Sequence, residues 1–354
     1  MAVRVSVLGS LPDGREVHKY TLVNGRGSEA AFTDLGAIWT NMRVRDRDGV
    51  FRDVVLGCDK PEALLRNPGH MGAVVGRNAN RIGGGSYMLN GVSYTLEKND
   101  KGVNNLHSGP NFWERRSWAA EYGDKGTGAY VMFSLHSESM EQGYPGNAEI
   151  AVIYTLSEDD ALSIEYRGVS DCDTILNMTN HAYFNLNGCD AGDASSQYVQ
   201  IHASYFTPAS ESSVPYGELA PVSGTPMDFR TEKRIGRDIG AEYEQLRFGG
   251  GYDHNYCVDG TAGEQRLAAA AYAEESGIEM KVYTDLEGLQ FYTANFLNVR
   301  GDGKNGASYS PRTAYCFETQ HYPDAINKPA FPSPVVRAGE EYRTETVYCF
   351  GIRG

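Results

Sequence analysis

The dipeptide Asn90-Gly91, set between Tyr87-Met88-Leu89 and Val92-Ser93-Tyr94, constrains this chain more than any other feature. Asparagine and glycine reach positive φ at least cost, and a type I′ turn demands positive φ at both central positions. Flanked by alternating apolar and polar residues, the pair predicts a β-hairpin. The signal recurs. Asp48-Gly49 stands between Met42-Arg43-Val44 and Val54-Val55-Leu56, and Asn24-Gly25 is a third case. Glu287-Gly288 is expected to turn Met280-Lys281-Val282-Tyr283 back onto Leu289-Gln290-Phe291-Tyr292. Residues 129–135, 149–156, 161–166 and 344–350 read as further strands, whereas helical pattern is confined to 60–65 and 241–246. Many strands at close spacing specify an all-β sandwich or barrel.

The 354 residues are enough for one large domain or two ordinary ones. No low-complexity linker or change of composition divides them, so residues 1–354 are expected to form a single β domain. Hydrophobic residues make up 41% and charged residues 22%, the balance of a soluble globular protein. The 41 glycines and 23 tyrosines suit tight turns and a groove lined by amphipathic rings. A net charge of -14 argues against nucleic acid, whose nonspecific binding rests on clustered lysine and arginine. It also disfavours a strongly anionic substrate. No stretch approaches the ~20 apolar residues of a membrane helix, and the first residues lack the basic start and apolar run of a secretory signal. The six cysteines are scattered without a Cys-x-x-Cys pair and read as reduced thiols. A cytoplasmic location is expected, and monomer and homodimer both stay open.

Polar clusters interrupt the β pattern in five places. Phe317-Glu318-Thr319-Gln320-His321-Tyr322-Pro323 sets a carboxylate among apolar and aromatic residues. A carboxylate so placed is disfavoured in its charged form and becomes a better base, although in isolation such a glutamate is more often a structural partner. Asn177 to Gly188 places His181 in an extended, aromatic-rich run whose asparagines could fix its tautomer. Taken alone, a satisfied core histidine is the simpler reading. Asn104-Asn105-Leu106-His107-Ser108-Gly109-Pro110 is a turn-rich loop, where a histidine is usually solvated. Gly76-Arg77-Asn78-Ala79-Asn80-Arg81-Ile82 precedes three glycines but lacks the Gly-Lys-Ser/Thr and helix of a phosphate loop. Arg81 there could serve sugar hydroxyls or pair with a structural acid. In Gly249-Gly250-Gly251-Tyr252-Asp253-His254, the acid and the imidazole are adjacent and would face opposite sides of a strand.

Other chemistries have no anchor. There is no His-x-His or His-Glu-x-x-His for a metal, no Gly-x-Ser-x-Gly elbow, and no dinucleotide fingerprint. Acid/base work by Glu, His and Asp on a neutral, hydroxyl-rich ligand is left, with no metal and no cofactor.

Together the clusters resemble the aldose 1-epimerase (galactose mutarotase) family over nearly the whole chain. Arg52-Asp53-Val54-Val55-Leu56-Gly57, Gly224-Thr225-Pro226-Met227-Asp228-Phe229-Arg230, Gln290-Phe291-Tyr292-Thr293-Ala294-Asn295-Phe296 and Phe331-Pro332-Ser333-Pro334 are similar to family segments, in order. The resemblance implies a large antiparallel β-sandwich, the supersandwich, with an open groove. It implies that Glu318 is the catalytic base and His181 the catalytic acid. His107 would be a second active-site histidine, and Asn80, Arg81, Asp253 and Gln290 would bind sugar hydroxyls. Glu318 would take the proton of the C1 hydroxyl of a hexose such as galactose or glucose while His181 protonates the ring oxygen; the opened aldehyde then rotates and recloses. His321 has no matched role and reads as structural support. Two departures touch specificity: Ser108 replaces a common glycine, and His70-Met71 stands where an aromatic pair is common. A noncatalytic sugar-binding protein, or an epimerase for a phosphorylated hexose or a disaccharide, are the alternatives.

Overall fold

Alternation along the sequence becomes alternation in burial. Every second residue is buried along Ala129–Ser137, Ala161–Ser170, Ile278–Thr284 and most of Glu341–Ile352, as a sheet with one face on a core requires. The computed structural model describes residues 1–353. Three larger antiparallel sheets carry the architecture. A five-stranded meander runs in chain order from Ala2–Ser10 to Phe51–Asp53. A nine-stranded sheet joins Ala119–Asp124, Ala129–Ser137, Ala148–Leu156 and Ala161–Ser170 to Ile278–Thr284, Arg266–Tyr272, Tyr198–Ile201 and Lys233–Arg234 through the Glu341–Ile352 strand at its middle. A six-stranded sheet has the order Tyr183–Phe184, Tyr315–Gln320, Gly288–Tyr292, Asp253–Val258, Ala203–Phe206, Ala220–Pro221.

The nine-stranded sheet packs against both others. Phe32 of the meander stacks on Tyr154 with ring centroids 4.0 Å apart, and Trp39 meets Tyr348 at 5.4 Å. The Tyr348 hydroxyl donates to the Phe317 carbonyl of the six-stranded sheet at 2.9 Å. One buried cluster runs from Tyr20 and Phe32 through Val152 and Tyr348 to Phe291 and Phe317. The chain is thus an all-β, antiparallel sandwich. The α-helices among the described residues are two, Pro61–Arg66 and Glu244–Gly249, the second starting three residues later than its pattern predicts. No helix among them is long and apolar enough to cross a membrane.

The turn signals fare unequally. Asn90 and Gly91 have φ of 51° and 77° and close the predicted hairpin between Ser86–Leu89 and Val92–Thr95. At Asp48-Gly49 only the glycine has positive φ; the Asp46 carboxylate shapes the turn by accepting from the N–H groups of Asp48 and Val50, and the return strand is Phe51–Asp53 rather than 54–56. At Asn24-Gly25 the Asn24 side chain does the same for Arg26 and Ser28. The expected hairpin at Glu287-Gly288 does not form. Ile278–Thr284 belongs to the nine-stranded sheet and Gly288–Tyr292 to the six-stranded one, so the connection crosses between layers. Gly288 is needed for space rather than for turning: a Cβ there would meet Asn255 Oδ1 and the Gln320 carbonyl at 2.6 Å.

Candidate active site

Strand register in the six-stranded sheet sorts the residues of the site. Tyr183, Cys316, Tyr292 and Asp253 stand side by side across four strands, and two residues along stand Glu318, Gln290 and Asn255. Residues two apart on a strand share a face, so these two rows form one polar surface. The opposite face carries Phe317, Phe291, Tyr256 and Tyr315 into the core. The alternation also separates Asp253 from His254. Asp253 lines the cavity above the polar face, whereas His254 is buried 6.0 Å from the Phe206 ring.

Loops from outside the sheet close that cavity. His181 follows the Thr179–Asn180 pairing with Val74–Val75; its N–H donates to Ala73 and its carbonyl accepts from Gly72, both at 2.9 Å. Its ring stacks on Tyr183, with centroids 5.0 Å apart. The nearby asparagines do not set its tautomer. Asn180 Nδ2 donates to the Gly72 carbonyl and the Tyr154 hydroxyl, and the His181 Nδ1 neighbour is Cys316 Sγ at 3.6 Å. His107 is buried, not a solvated loop residue. It follows the Asn105–Leu106 pairing with Arg81–Ile82, and its backbone bends inward at φ 55°. Its N–H donates to the Asn80 carbonyl at 3.0 Å, and its Nδ1 accepts from the Asn80 N–H at 3.1 Å. A neutral imidazole that accepts at Nδ1 carries its proton on Nε2, so His107 presents a donor.

All seven residues expected at the site line one cavity of about 150 Å³, together with Gly69, His70, Leu106, Tyr183, Tyr292 and Phe296. Pockets for drug-sized ligands are larger, roughly 300–1,000 Å³, so this one suits a single small ring. Arg81 pairs with an acid, its Nε donating to Asp100 at 2.9 Å, while the side chain lines the cavity. Gln290 Nε2 donates to Asp253 Oδ1 at 2.6 Å, and Gln320 bridges Gln290, Asn255 and Asn80. His321 is not at the cavity; it pairs with Glu287 at 2.8 Å, as a supporting residue would.

Glu318 is 2% exposed. Among the described residues no group donates a hydrogen bond to its carboxylate, and His181 Nε2 lies 3.7 Å away. Burial pushes the Glu318 carboxyl well above its ordinary value; the Asp253 charge adds to this and Arg81 opposes it. Burial also pushes His181 down to about 3, helped by charge on His70. His107 is driven well below its ordinary value by burial, then by His70, His181 and Arg81. Two groups that ordinarily titrate near ~4.3 and ~6.5 are therefore both moved toward their neutral forms.

The facing atoms of His107, His181 and Glu318 lie within 4.8 Å of one another, a spacing that invites a metal. The donor set does not fit one. The His107 nitrogen on the cavity side bears the proton fixed by the Asn80 N–H, so its lone pair is not free, and two remaining donors fall short of the three or four a zinc site needs.

Several residues here escaped sequence reasoning. Tyr183 and Tyr292 lie two positions from His181 and Gln290, so period-two alternation could have placed them. His70 was marked only as a departure from a family pattern, and its buried partner Glu114 carried no signal.

Comparison with known proteins agrees with this geometry. The family model described as aldose 1-epimerase matches residues 18–349. The chain is 38% identical to the galactose mutarotase of Bos taurus over 353 residues, 99% of each chain. It is 36% identical to the aldose 1-epimerase of Escherichia coli K12 over 343 residues, 96% of each. A solved GalM/aldose epimerase homologue from C. elegans superposes with a TM-score of 0.86 at 29% identity, covering 94% of this chain and 98% of that one. With its sandwich, its polar sheet face and its match from end to end, this chain belongs to the aldose 1-epimerase family.

Proposed function

We propose that the chain interconverts the α and β anomers of free hexoses such as galactose and glucose, with Glu318 as base and His181 as acid. The observation that carries the roles is the Glu318 carboxylate: buried, without a protein donor, and 3.7 Å from His181 Nε2. A buried polar group left unsatisfied by the protein is destabilising unless a ligand completes it. A C1 hydroxyl supplies the missing donor. Opening then needs one proton removed from that hydroxyl and one delivered to the ring oxygen. With one proton between them, the two groups have two arrangements, carboxylic acid with imidazole or carboxylate with imidazolium. Moving it onto His181 readies both partners without exchange with solvent. His107 Nε2–H is placed to donate to the oxygen on which charge develops, and Asp253, Gln290, Asn80 and Arg81 orient the hydroxyls. Each positioned transfer typically contributes ~10²–10⁴-fold.

A phosphorylated substrate is a poorer fit. Among the described residues Arg81 is the one lysine or arginine lining the cavity, and Asp100 already engages it, whereas phosphate recognition relies on free cationic donors. The six cysteines all stand unpaired, which supports a cytoplasmic location. Polarimetry on freshly dissolved α-anomers of galactose, glucose, xylose, maltose and glucose 6-phosphate tests the reading. Acceleration is expected with the free monosaccharides; sugar binding without acceleration would identify a noncatalytic binding protein instead.

A further inference from the structure

A third imidazole stands beside the two assigned to the reaction. His70 lies in a tight turn at φ 59°, its N–H donating to the Asn67 carbonyl and its own carbonyl accepting from the Ala73 N–H, both at 3.0 Å. Its Nδ1 is 3.1 and 3.0 Å from the two oxygens of Glu114. That carboxylate is 2% exposed, and its other polar contact is Asn67 Nδ2 at 3.5 Å. A buried carboxylate is strongly destabilising without an opposite charge, and among the described residues His70 is its one partner of that kind. With Nδ1 committed to Glu114, the rest of the ring faces the cavity that His70 lines.

The three imidazoles form a triangle. Ring centroids are 5.2 Å apart for His70 and His107, 6.0 Å for His70 and His181, and 5.4 Å for His107 and His181; Phe112 covers His70 at 4.7 Å. From this geometry we propose that His70, oriented by Glu114, is a positioning residue that fixes the protonation of the acid–base pair through its charge. The proposal rests on the reading of Glu318 and His181 given above.

Protonated against Glu114, His70 opposes a second positive charge on either neighbour. It keeps His107 neutral, and so a directed donor, and it makes a protonated His181 a stronger acid. Charge on His70 is accordingly among the causes that push both histidines down. The other charged groups facing the cavity are Arg81, which acts in the same sense on His107, and Asp253 and Glu318 on the sheet face. No ligand has to displace the His70 charge, because its counter-ion lies behind it in the Trp113–Arg115 turn.

The test is the pH dependence of kcat/KM for mutarotation of α-D-galactose in wild type, His70→Gln, His70→Phe, and His70→Phe combined with Glu114→Gln. Phenylalanine keeps the aromatic packing, and the double variant removes the charge pair without stranding a carboxylate. Removing a cation raises the pKa of every group it held down, so the limb set by His181 should move to higher pH. At ~6 Å, partly offset by the more distant Glu114, the expected shift is about 0.5–1 unit. His70→Gln, which leaves Glu114 a donor to pair with, should shift in the same direction and serves if the phenylalanine variants do not fold. A profile at wild-type pH values with a uniformly lower rate, or one moved to lower pH, overturns the proposal and leaves His70 as a wall. The underlying reading fails separately, through full activity of Glu318→Gln or His181→Asn.

Discussion

Glu318→Gln tests the chemistry and the electrostatics of the site in one protein. Glutamine keeps the side-chain shape but removes the basic carboxylate. If Glu318 takes the C1 hydroxyl proton, the rate should fall ~10²–10⁴-fold, the usual contribution of a positioned general base, or about 3–5 kcal/mol of barrier. The same change should stabilise the fold, and the sign follows from linkage. The Glu318 carboxyl is held above its ordinary value of 4.5 by burial and by Asp253. Between that value and its raised one, the unfolded chain releases a proton that the folded chain keeps. The stability contributed by Glu318 is therefore full below about pH 4.5 and is lost as pH rises toward its raised value, by roughly 1.4 kcal/mol per pH unit. Glutamine has no such loss, so the stability gap between variant and wild type should widen from acid to neutral pH. His181 works in the opposite sense, because its value of about 3 makes the folded chain give up a proton the unfolded one keeps. That effect is common to both proteins and cancels to first order in the difference. Polarimetry of fresh α-D-galactose measures the first effect, and urea unfolding at roughly pH 4, 6 and 8 the second. A variant that equilibrates the sugar at the wild-type rate refutes the role of Glu318. A stability gap that stays constant with pH refutes the account of its burial.

His181→Asn should reduce the polarimetric rate ~10²–10⁴-fold, and it should stabilise the fold by an amount that grows as pH falls from about 6.5 to about 3, since it removes the group whose protonation folding opposes. Asp253→Asn removes the proposed sugar ligand and a charge that pushes Glu318 up; steady-state kinetics should show KM rising more than kcat falls, with the Glu318-linked limb moving to lower pH. Gly72→Ala should abolish soluble, folded protein by circular dichroism, because at φ 67° its Cβ would lie 2.1 Å from the Trp39 carbonyl oxygen. Normal melting of that variant would overturn the packing described between the meander and the His181 segment.

What could be read from the sequence follows the range of the forces involved. Asn90-Gly91 was legible because the φ angles of a two-residue turn are decided by the two residues themselves. At Asp48-Gly49 the turn was placed correctly but its cause was not, since the Asp46 carboxylate does the shaping. Gly288 was misread because its reason lies on strands far away in the chain, at Asn255 and Gln320. A glycine kept for clearance and one kept for a turn look alike in sequence. The site divides in the same way. Period-two alternation separated Asp253 from His254 without any structure, because neighbouring residues on a strand must face opposite sides.

Nothing local distinguishes a solvated loop histidine from His107, whose burial depends on a two-residue pairing with Arg81–Ile82. Nor could neighbouring asparagines reveal that they serve backbone carbonyls while the His181 ring meets Cys316. The deepest gap concerns charge. Reference values near ~4.3 and ~6.5 would leave Glu318 ionised and His181 partly protonated near neutral pH. Their shared burial moves both toward their neutral forms, Glu318 by raising its pKa and His181 by lowering it. An ionised pair would stabilise itself and compete with the sugar for each partner, whereas a neutral pair at 3.7 Å leaves both atoms free to engage C1–OH and the ring oxygen. The burial that makes these residues costly to fold is thus also what keeps them available, a coupling that only the packed rows of the sheet and the histidines beside them can create.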